Sequence, residues 1–335
     1  MNKFETFKSN ISNHYHGNII INISPSSAFR ARCEFSFNND SYVMYNKGNK
    51  IYLNIFNFAS TAIQKTMARL LKLINQSKTI KKKLFQINFR SNSQGKVLVT
   101  LVYHQKIDEM LQNRIDNIAS KLNINIIVRA KNQIYATNNF FLEDFITSKK
   151  IKIFQTDNCF YQPNRFLLPK MINKVISFIN NPKDLIELYC GVGTFTLPLS
   201  EYFNKVFSTE NNRKSVECLD MAIKENNIDN IYHARLSSEE VSELIDGKKY
   251  NRMKDIKLSN FNFSHILVDP PRSGLSKNVI KIINKFDNII YISCSPESYV
   301  RDIKYLKDYK ITNLELFDQF PNSKHLEIVS LLSKK

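Results

Sequence analysis

Four short stretches carry residue types that could do covalent or acid–base chemistry. In YISCSPE (291–297), Cys294 follows an apolar run and precedes a Ser-Pro turn. A thiolate is a strong nucleophile, and a helix N-terminus with a nearby arginine such as Arg272 could lower the thiol pKa. The plainer alternative is a small buried apolar side chain, the commoner fate of a single cysteine. In DPPRSGL (269–275), Asp-Pro-Pro marks a rigid strand exit, because proline is disfavoured in a central strand. Asp269 then either caps or turns the chain or faces a ligand. In FDQFPNSKHLEIVSLL (317–332), Glu327 opens an apolar run. It and His325 read as edge solubilisers or as functional groups, and taken alone the edge reading is the stronger.

The fourth stretch, ELYCGVGTF (187–195), would place glycines after a strand, so that backbone can approach a ligand and a helix N-terminus can offer amide donors. A dinucleotide fingerprint would want a third glycine at 196, where Thr196 stands. Glu187 lies before the loop, and Glu210 ends the next strand, where a carboxylate can accept both hydroxyls of a ribose. That combination fits S-adenosylmethionine better than a nicotinamide dinucleotide; a tight turn without a ligand is the alternative. Cys190, in the same loop, is expected to pack rather than attack.

The elements that would position these groups follow from periodicity. Segment 29–37 alternates as a strand with Arg30 and Arg32 on one face; 61–75 has helical spacing; 84–90, 96–103 and 124–129 read as strands and 107–122 as a helix. After a break near 151–155 the pattern changes. Strands at 185–189, 205–210, 231–233, 263–269 and 288–294 alternate with helical stretches at 212–226 and 297–307, and strands 311–317 and 326–332 close the chain. The expectation is a basic α+β domain over 1–155 and a doubly wound, mostly parallel α/β sheet over 156–335. In such a sheet Asp269 and Cys294 would share the carboxyl edge, where ligands bind.

Charge is unevenly placed. The chain of 335 residues has 48 Lys+Arg against 30 Asp+Glu, but residues 1–150 hold 22 and 8 of these, and 151–335 hold 26 and 22. Codon drift should act on both halves alike, so the basic first half reads as a platform for a polyanion, nucleic acid before membrane surface. No stretch reaches the ~18 uncharged apolar residues of a membrane span. Five cysteines fall in no zinc-like or disulfide-framework spacing, and Cys33 alone precedes Cys159, so no metal or iron–sulfur cluster is expected. A reduced, soluble, cytoplasmic protein is expected.

Taken together and in order, LFQINF (84–89), LVYHQKID (101–108), FYQPN (160–164), LYCGVGTFTLPL (188–199), DPPRSGL, YISCSPE and FDQFPNSKHLE (317–327) resemble the tRNA (uracil-5-)-methyltransferases, from about Phe29 to Leu332. The resemblance implies a class I, Rossmann-like methyltransferase sheet behind an N-terminal RNA-binding domain, with S-adenosylmethionine as cofactor. It implies methylation of the T-loop uridine (U54) in the tRNA T-arm by a monomer, with tmRNA an open second substrate. Gln162, Tyr189, Glu210 and Asp269 then correspond to the methyl-donor site, Gly191, Gly193 and Thr194 to its loop, Cys294 to the nucleophile and Glu327 to the base. Phe85 corresponds to an aromatic that packs against the T-loop, with Arg30, Arg32, Lys81, Lys82, Lys83 and His104 as candidate RNA contacts. The chain departs from the family pattern at Val192, Thr194 and Ser295, where asparagine is common, and at Lys324, where histidine is. A cytosine-5 enzyme would need a second cysteine in the DPPRSG stretch, which has none. A ribosomal-RNA uracil methyltransferase and an RNA-folding binder with secondary catalysis are the rival readings.

Overall fold

A computed structural model of the protein describes residues 2–253, 255–321 and 323–335; Asn322 of the FDQFPNSKHLE stretch lies outside them. The chain forms two compact units. One comprises the residues up to Ser24, Ile146–Ile153 and Cys159–Lys335, the other Pro25–Phe145 and Phe154–Asn158. The single boundary expected between 155 and 156 is therefore corrected. Helix Lys3–Ile11 buries Phe7 and Ile11 in the core of the larger unit, and strand Ile20–Asn22 pairs with Glu315, Leu316 and Phe317. The 151–155 stretch, expected as a break, is itself a strand. Alternating apolar residues there (Ile151, Ile153) satisfy a pleat as well as they mimic a linker.

The larger unit is built on an eight-stranded sheet in the order Ile20–Asn22, Tyr309–Phe317, Glu327–Lys334, Asn288–Ser293, Phe263–Val268, Asp184–Leu188, Lys205–Thr209, Ile231–Ala234. Every pairing is parallel except the two made by Glu327–Lys334. The four strands Asp184–Leu188, Lys205–Thr209, Phe263–Val268 and Asn288–Ser293 are apolar runs that the sequence marks, buried along most of their length as parallel strands covered on both faces must be. The order reverses beside Asp184–Leu188, whose neighbours are the next strand in sequence and the strand after two crossovers. Ligands bind outside the carboxyl ends of strands at such a reversal. Register aligns those ends: Leu188 faces Thr209 and Val268, and Val268 faces Tyr291.

Loops from distant parts of this unit are stitched by Asn164, which is fully buried. Its amide donates to the Ser24 hydroxyl at 2.7 Å and the Gln319 carbonyl at 3.2 Å. Its side-chain oxygen accepts from the Phe166 and Leu167 amides at 3.1 and 3.3 Å. FYQPN and FDQFPN, 155 residues apart, thereby meet at one side chain.

The smaller unit is α+β, as expected. Its seven-stranded sheet runs Asn49–Leu53, Ser41–Asn46, Arg32–Asn38, Leu84–Ser91, Val97–Tyr103, Asn125–Ala130, Gln133–Ala136. The one parallel pairing, Val97–Tyr103 with Asn125–Ala130, brackets helix Glu109–Leu122. That helix and Thr61–Asn75 bury their apolar stripes (Ile63, Met67, Leu70, Ile74; Leu111, Ile115, Ile118, Leu122) in one core with the sheet. Fully burying each such side chain contributes about 2 kcal/mol. The strand expected at 29–37 begins at Arg32, because Arg30 is held in an isolated bridge to Ala59. No helix among the described residues is long and apolar enough to cross a membrane.

Replacing Asn164 with alanine would strand the groups that it now satisfies. Asn164→Ala should lower stability by about 1–3 kcal/mol in urea titration, where burial of unpaired polar groups dominates.

Candidate active site

Tyr189, Glu210, Asp269 and Cys294 each stand one residue beyond the end of a parallel strand, on the aligned carboxyl edge. Glu327 joins them from the antiparallel partner. Ser293 faces Ile328 in the ladder, so the next rung outward sets Cys294 opposite Glu327. Among the five cysteines Cys294 is the one that is not buried. Cys190, in the first loop, is buried.

Glycine in the first loop answers a steric demand. Gly193 has φ +88°, and a Cβ there would lie 2.6 Å from Leu219 Cδ1. The Gly191 amide donates to Glu210 Oε2 at 3.0 Å, and the Asn212 amide to Oε1 at 2.7 Å, so Glu210 is fixed at the head of the following helix. Tyr189 itself has φ +63°, an uncommon left-handed conformation for a bulky residue. Glu187 lies behind the loop. It accepts from the Thr196 hydroxyl at 2.7 Å, and burial raises its carboxyl to about 8.

The DPPRSGL and YISCSPE loops are tied together. Gly274, at φ +75°, closes a turn onto the Pro271 carbonyl, and a Cβ there would lie 2.5 Å from both Arg301 Nη2 and Asp302 Oδ2. Asp302, fully buried, accepts from the Tyr291 hydroxyl at 2.6 Å and the Leu275 amide at 2.8 Å. Ser298 donates to the Arg272 carbonyl at 3.0 Å. Asp269 caps no helix, since the next one, Lys277–Ile283, is capped by Ser276. Ser295, where the family pattern favours asparagine, caps helix Pro296–Ile303 by accepting from the Ser298 amide. Either residue type suits that role. Val192 and Thr194 are buried and Lys324 is exposed.

The electrostatics of this edge correct one expectation. Arg272, whose guanidinium lies 3.3 Å from His325 Nε2, does pull the Cys294 thiol pKa downward. Burial, then Glu327 and Asp269, outweigh it, and the thiol is pushed up to about 11. Burial raises Asp269 to about 7, and burial with the neighbouring Asp269 charge holds Glu327 well above the usual carboxylate range. Two carboxyls and a thiol thus share one poorly solvated corner, where each negative charge disfavours the next.

Beside this corner is a cavity of about 380 Å³, lined by Tyr189, Glu210, Asn211, Leu236, Ser237 and Ser238 on one side and Pro271, Gly274 and Arg301 on the other. Its volume is in the range of small-molecule sites, and its acid, Glu210, and mixed polar rim suit an adenosyl group. Gln162 is buried in the loop that Asn164 anchors. Asn211, Leu236, Ser237 and Ser238 were not foreseen. The one available signal was the Ser-Ser-Glu-Glu run, whose Ser237–Glu240 capping box starts a helix at the cavity wall.

The candidate RNA residues all lie in the smaller unit and separate into two groups. Phe85, exposed, stacks on His104 with ring centroids 4.5 Å apart, and the His104 amide donates to the Lys83 carbonyl at 2.9 Å. Lys82 and Lys83 are exposed beside them, and Lys81 is paired with Asp40 at 3.0 Å. Arg32 faces Arg90 near the other end of the Phe85 strand and is paired with Glu34; Arg30 lies over the Phe56 ring.

Alkylation of Cys294 by iodoacetamide in the cofactor-free protein should follow a pKa near 11 rather than the ordinary 9. Glu327→Gln should move that value down and speed alkylation below it, because removing a neighbouring negative charge favours the thiolate. An unshifted profile in the variant would remove Glu327 from the field at the sulfur.

The model of the tRNA (uracil-5-)-methyltransferase family matches residues 1–335. A tRNA/tmRNA (uracil-C(5))-methyltransferase of Saccharophagus degradans is 37% identical over 346 residues, covering 99% of this chain and 95% of that protein. One of the same name from Campylobacter jejuni is 41% identical over 323 residues, covering 93% and 90%. In fold, the crystal structure of Pyrococcus abyssi tRNA (uracil-54, C5)-methyltransferase in complex with S-adenosyl-L-homocysteine is similar with a TM-score of 0.78 at 22% identity. It covers 98% of this chain and 81% of that one. The doubly wound sheet is accordingly that of the class I methyltransferases, and with its family model spanning the whole length the chain belongs to the tRNA (uracil-5-)-methyltransferase family.

Proposed function

We propose that this enzyme methylates carbon 5 of the T-loop uridine at position 54 of tRNA, using S-adenosylmethionine, through a transient bond from Cys294 to the base. The observation that carries the reading is the juxtaposition of Cys294, Glu327 and Asp269 at the carboxyl edge beside the cavity. Its relatives are named for both tRNA and tmRNA, which supports tmRNA as a second substrate.

Uracil C5 is too weak a nucleophile to take a methyl group unaided. Cys294 Sγ, as thiolate, adds to C6; the C5–C6 double bond opens, and the electron pair is carried as an enolate through C5 and O4. S-adenosylmethionine, when bound, would supply an electrophilic methyl group; the pair at C5 would form the new carbon–carbon bond as the sulfonium–methyl bond breaks and its electrons stay on a neutral thioether. Tyr189, Glu210, Gln162 and the Gly191–Thr194 loop are the groups that would hold it. Glu327 then takes the proton from C5, the C5–C6 double bond reforms, and the sulfur leaves as thiolate. Covalent catalysis divides one hard step into easier ones, and general-base removal is worth about 10²–10⁴-fold. Both groups can reach the base only after it leaves its stack, at a cost of a few kcal/mol. Stacking on Phe85 and His104 and phosphate contacts from Lys82 and Lys83 are the groups in the smaller unit suited to offset it.

Cys294→Ala should abolish methylation of a T-arm transcript and any trapping by 5-fluorouridine RNA. Glu327→Gln should form the adduct yet release product slowly, so that methylated RNA stays attached to protein on denaturing gels. Turnover by Cys294→Ala would overturn the reading. For the RNA surface, Lys82→Ala/Lys83→Ala should weaken tRNA binding and reduce the slope of log K against log salt by roughly 1–2; an unaltered slope would place the phosphates elsewhere.

A further inference from the structure

The segment 318–326 joins strands Tyr309–Phe317 and Glu327–Lys334. It is longer than the usual two- to five-residue hairpin, and ordering it costs on the order of 1 kcal/mol per residue. Glu327 begins where this segment ends, so the ordering of the loop fixes the approach of the carboxylate to Cys294.

Lys3 meets that demand from the far end of the sequence. Its ammonium donates to the Asp318 carboxylate, to the Phe320 carbonyl at 3.1 Å and to the His325 carbonyl at 3.0 Å. An ammonium has three N–H donors, and here each has an acceptor, one near each end of the loop and one between. The pair is shielded, with the Lys3 and Asp318 side chains 15% and 10% exposed. Helix Lys3–Ile11, which presents the lysine, is capped by Asn2 and seated by Phe7 and Ile11. The Phe7 ring lies 6.1 Å from that of Tyr299, on the helix Pro296–Ile303 that leaves Cys294. One short helix therefore touches the element leaving the nucleophile and grips the loop arriving at the base.

We propose that Lys3 is a positioning residue for the reaction, holding Asp318, Phe320 and His325 so that Glu327 is set beside Cys294. The inference rests on the reaction given above, with Glu327 as the group that takes the C5 proton. Lys3→Met should lower kcat ten- to a hundredfold, the range for a misplaced catalytic group, with KM for tRNA and for S-adenosylmethionine within about twofold. It should also raise the steady-state level of methylated RNA bound covalently to protein, since proton removal is the step slowed, and Lys3→Arg should restore most of the rate. Asp318→Asn should show the same split, and the double variant should be no slower than the singles, as expected for one shared contact. Wild-type kcat and adduct level in folded Lys3→Met would overturn the proposal. If Lys3→Met does not fold, normal kcat in Asp318→Asn overturns it instead, and the kcat–KM split there upholds it. Cys294→Ala, assayed alongside, separates the two readings: turnover by that variant sinks the reaction itself, whereas its inactivity beside an unaffected Lys3→Met sinks only the role of Lys3.

Discussion

Ser293 faces Ile328 across the antiparallel ladder that joins the fifth parallel strand to the last strand of the chain, and this register decides what the site can contain. The rung beyond it sets Cys294 opposite Glu327. A slip of one residue would turn every side chain of Glu327–Lys334 to the other face of the sheet, exchanging Ile328, Ser330 and Leu332 for Val329 and Leu331 between two buried layers. Bonds at both margins hold the register. The Ser330 hydroxyl donates to the Tyr291 carbonyl at 3.1 Å, and Phe317 pairs with Glu327 from the outer side. Cys294 and Glu327 are thus brought together by backbone hydrogen bonds and core packing.

The parallel strands perform the same task for the cofactor side. Leu188, Thr209, Val268 and Tyr291 lie in register; Tyr189, Glu210 and Asp269 follow the first three by one step, and Cys294 follows the last by three, one step past its strand's end at Ser293. Loops after these strands then need little length of their own, but they need unusual backbone. That is why positive φ falls at Tyr189, Gly191, Gly193 and Gly274, and why a Cβ would collide at Gly193 and Gly274. Rigid strand ends with strained short loops fix catalytic groups more narrowly than long flexible loops could.

Much of this was legible in the sequence, for physical reasons. Apolar runs of five or six residues that end in ELYCGVG, DPPRSG and SCSPE announce buried parallel strands, and the carboxyl-edge rule then brings Asp269 and Cys294 together without coordinates. Glu327 was ambiguous alone, because an acid at a strand start is as common on a solvated edge; its burial in the ladder removes the solvated-edge reading. The first 24 residues were illegible as part of the larger unit. Lys3–Ile11 is short and mostly polar, and its two anchoring side chains find their partners some 300 residues away, a separation that local periodicity cannot report. The direction of the Cys294 shift was missed likewise. Arg272 is near in sequence pattern, whereas the opposing carboxylate of Glu327 arrives through tertiary pairing.

The charge arrangement at the edge carries its own consequence for the order of events. With Asp269 pushed up to about 7, Glu327 held well above the usual carboxylate range and Cys294 near 11, the corner disfavours an accumulation of negative charge. A thiolate there is costly because burial strips its solvent and two carboxyls stand close. A positive charge placed at Asp269 works on all three groups in one direction, favouring the ionised carboxylates and, through reduced net negative potential, the thiolate. A sulfonium donor is such a charge, and its loss on methyl transfer leaves the corner again short of a cation. Under the proposed reaction, the same electrostatics that raise the Cys294 thiol would favour proton uptake by Glu327 after methyl transfer, the step that would free the product.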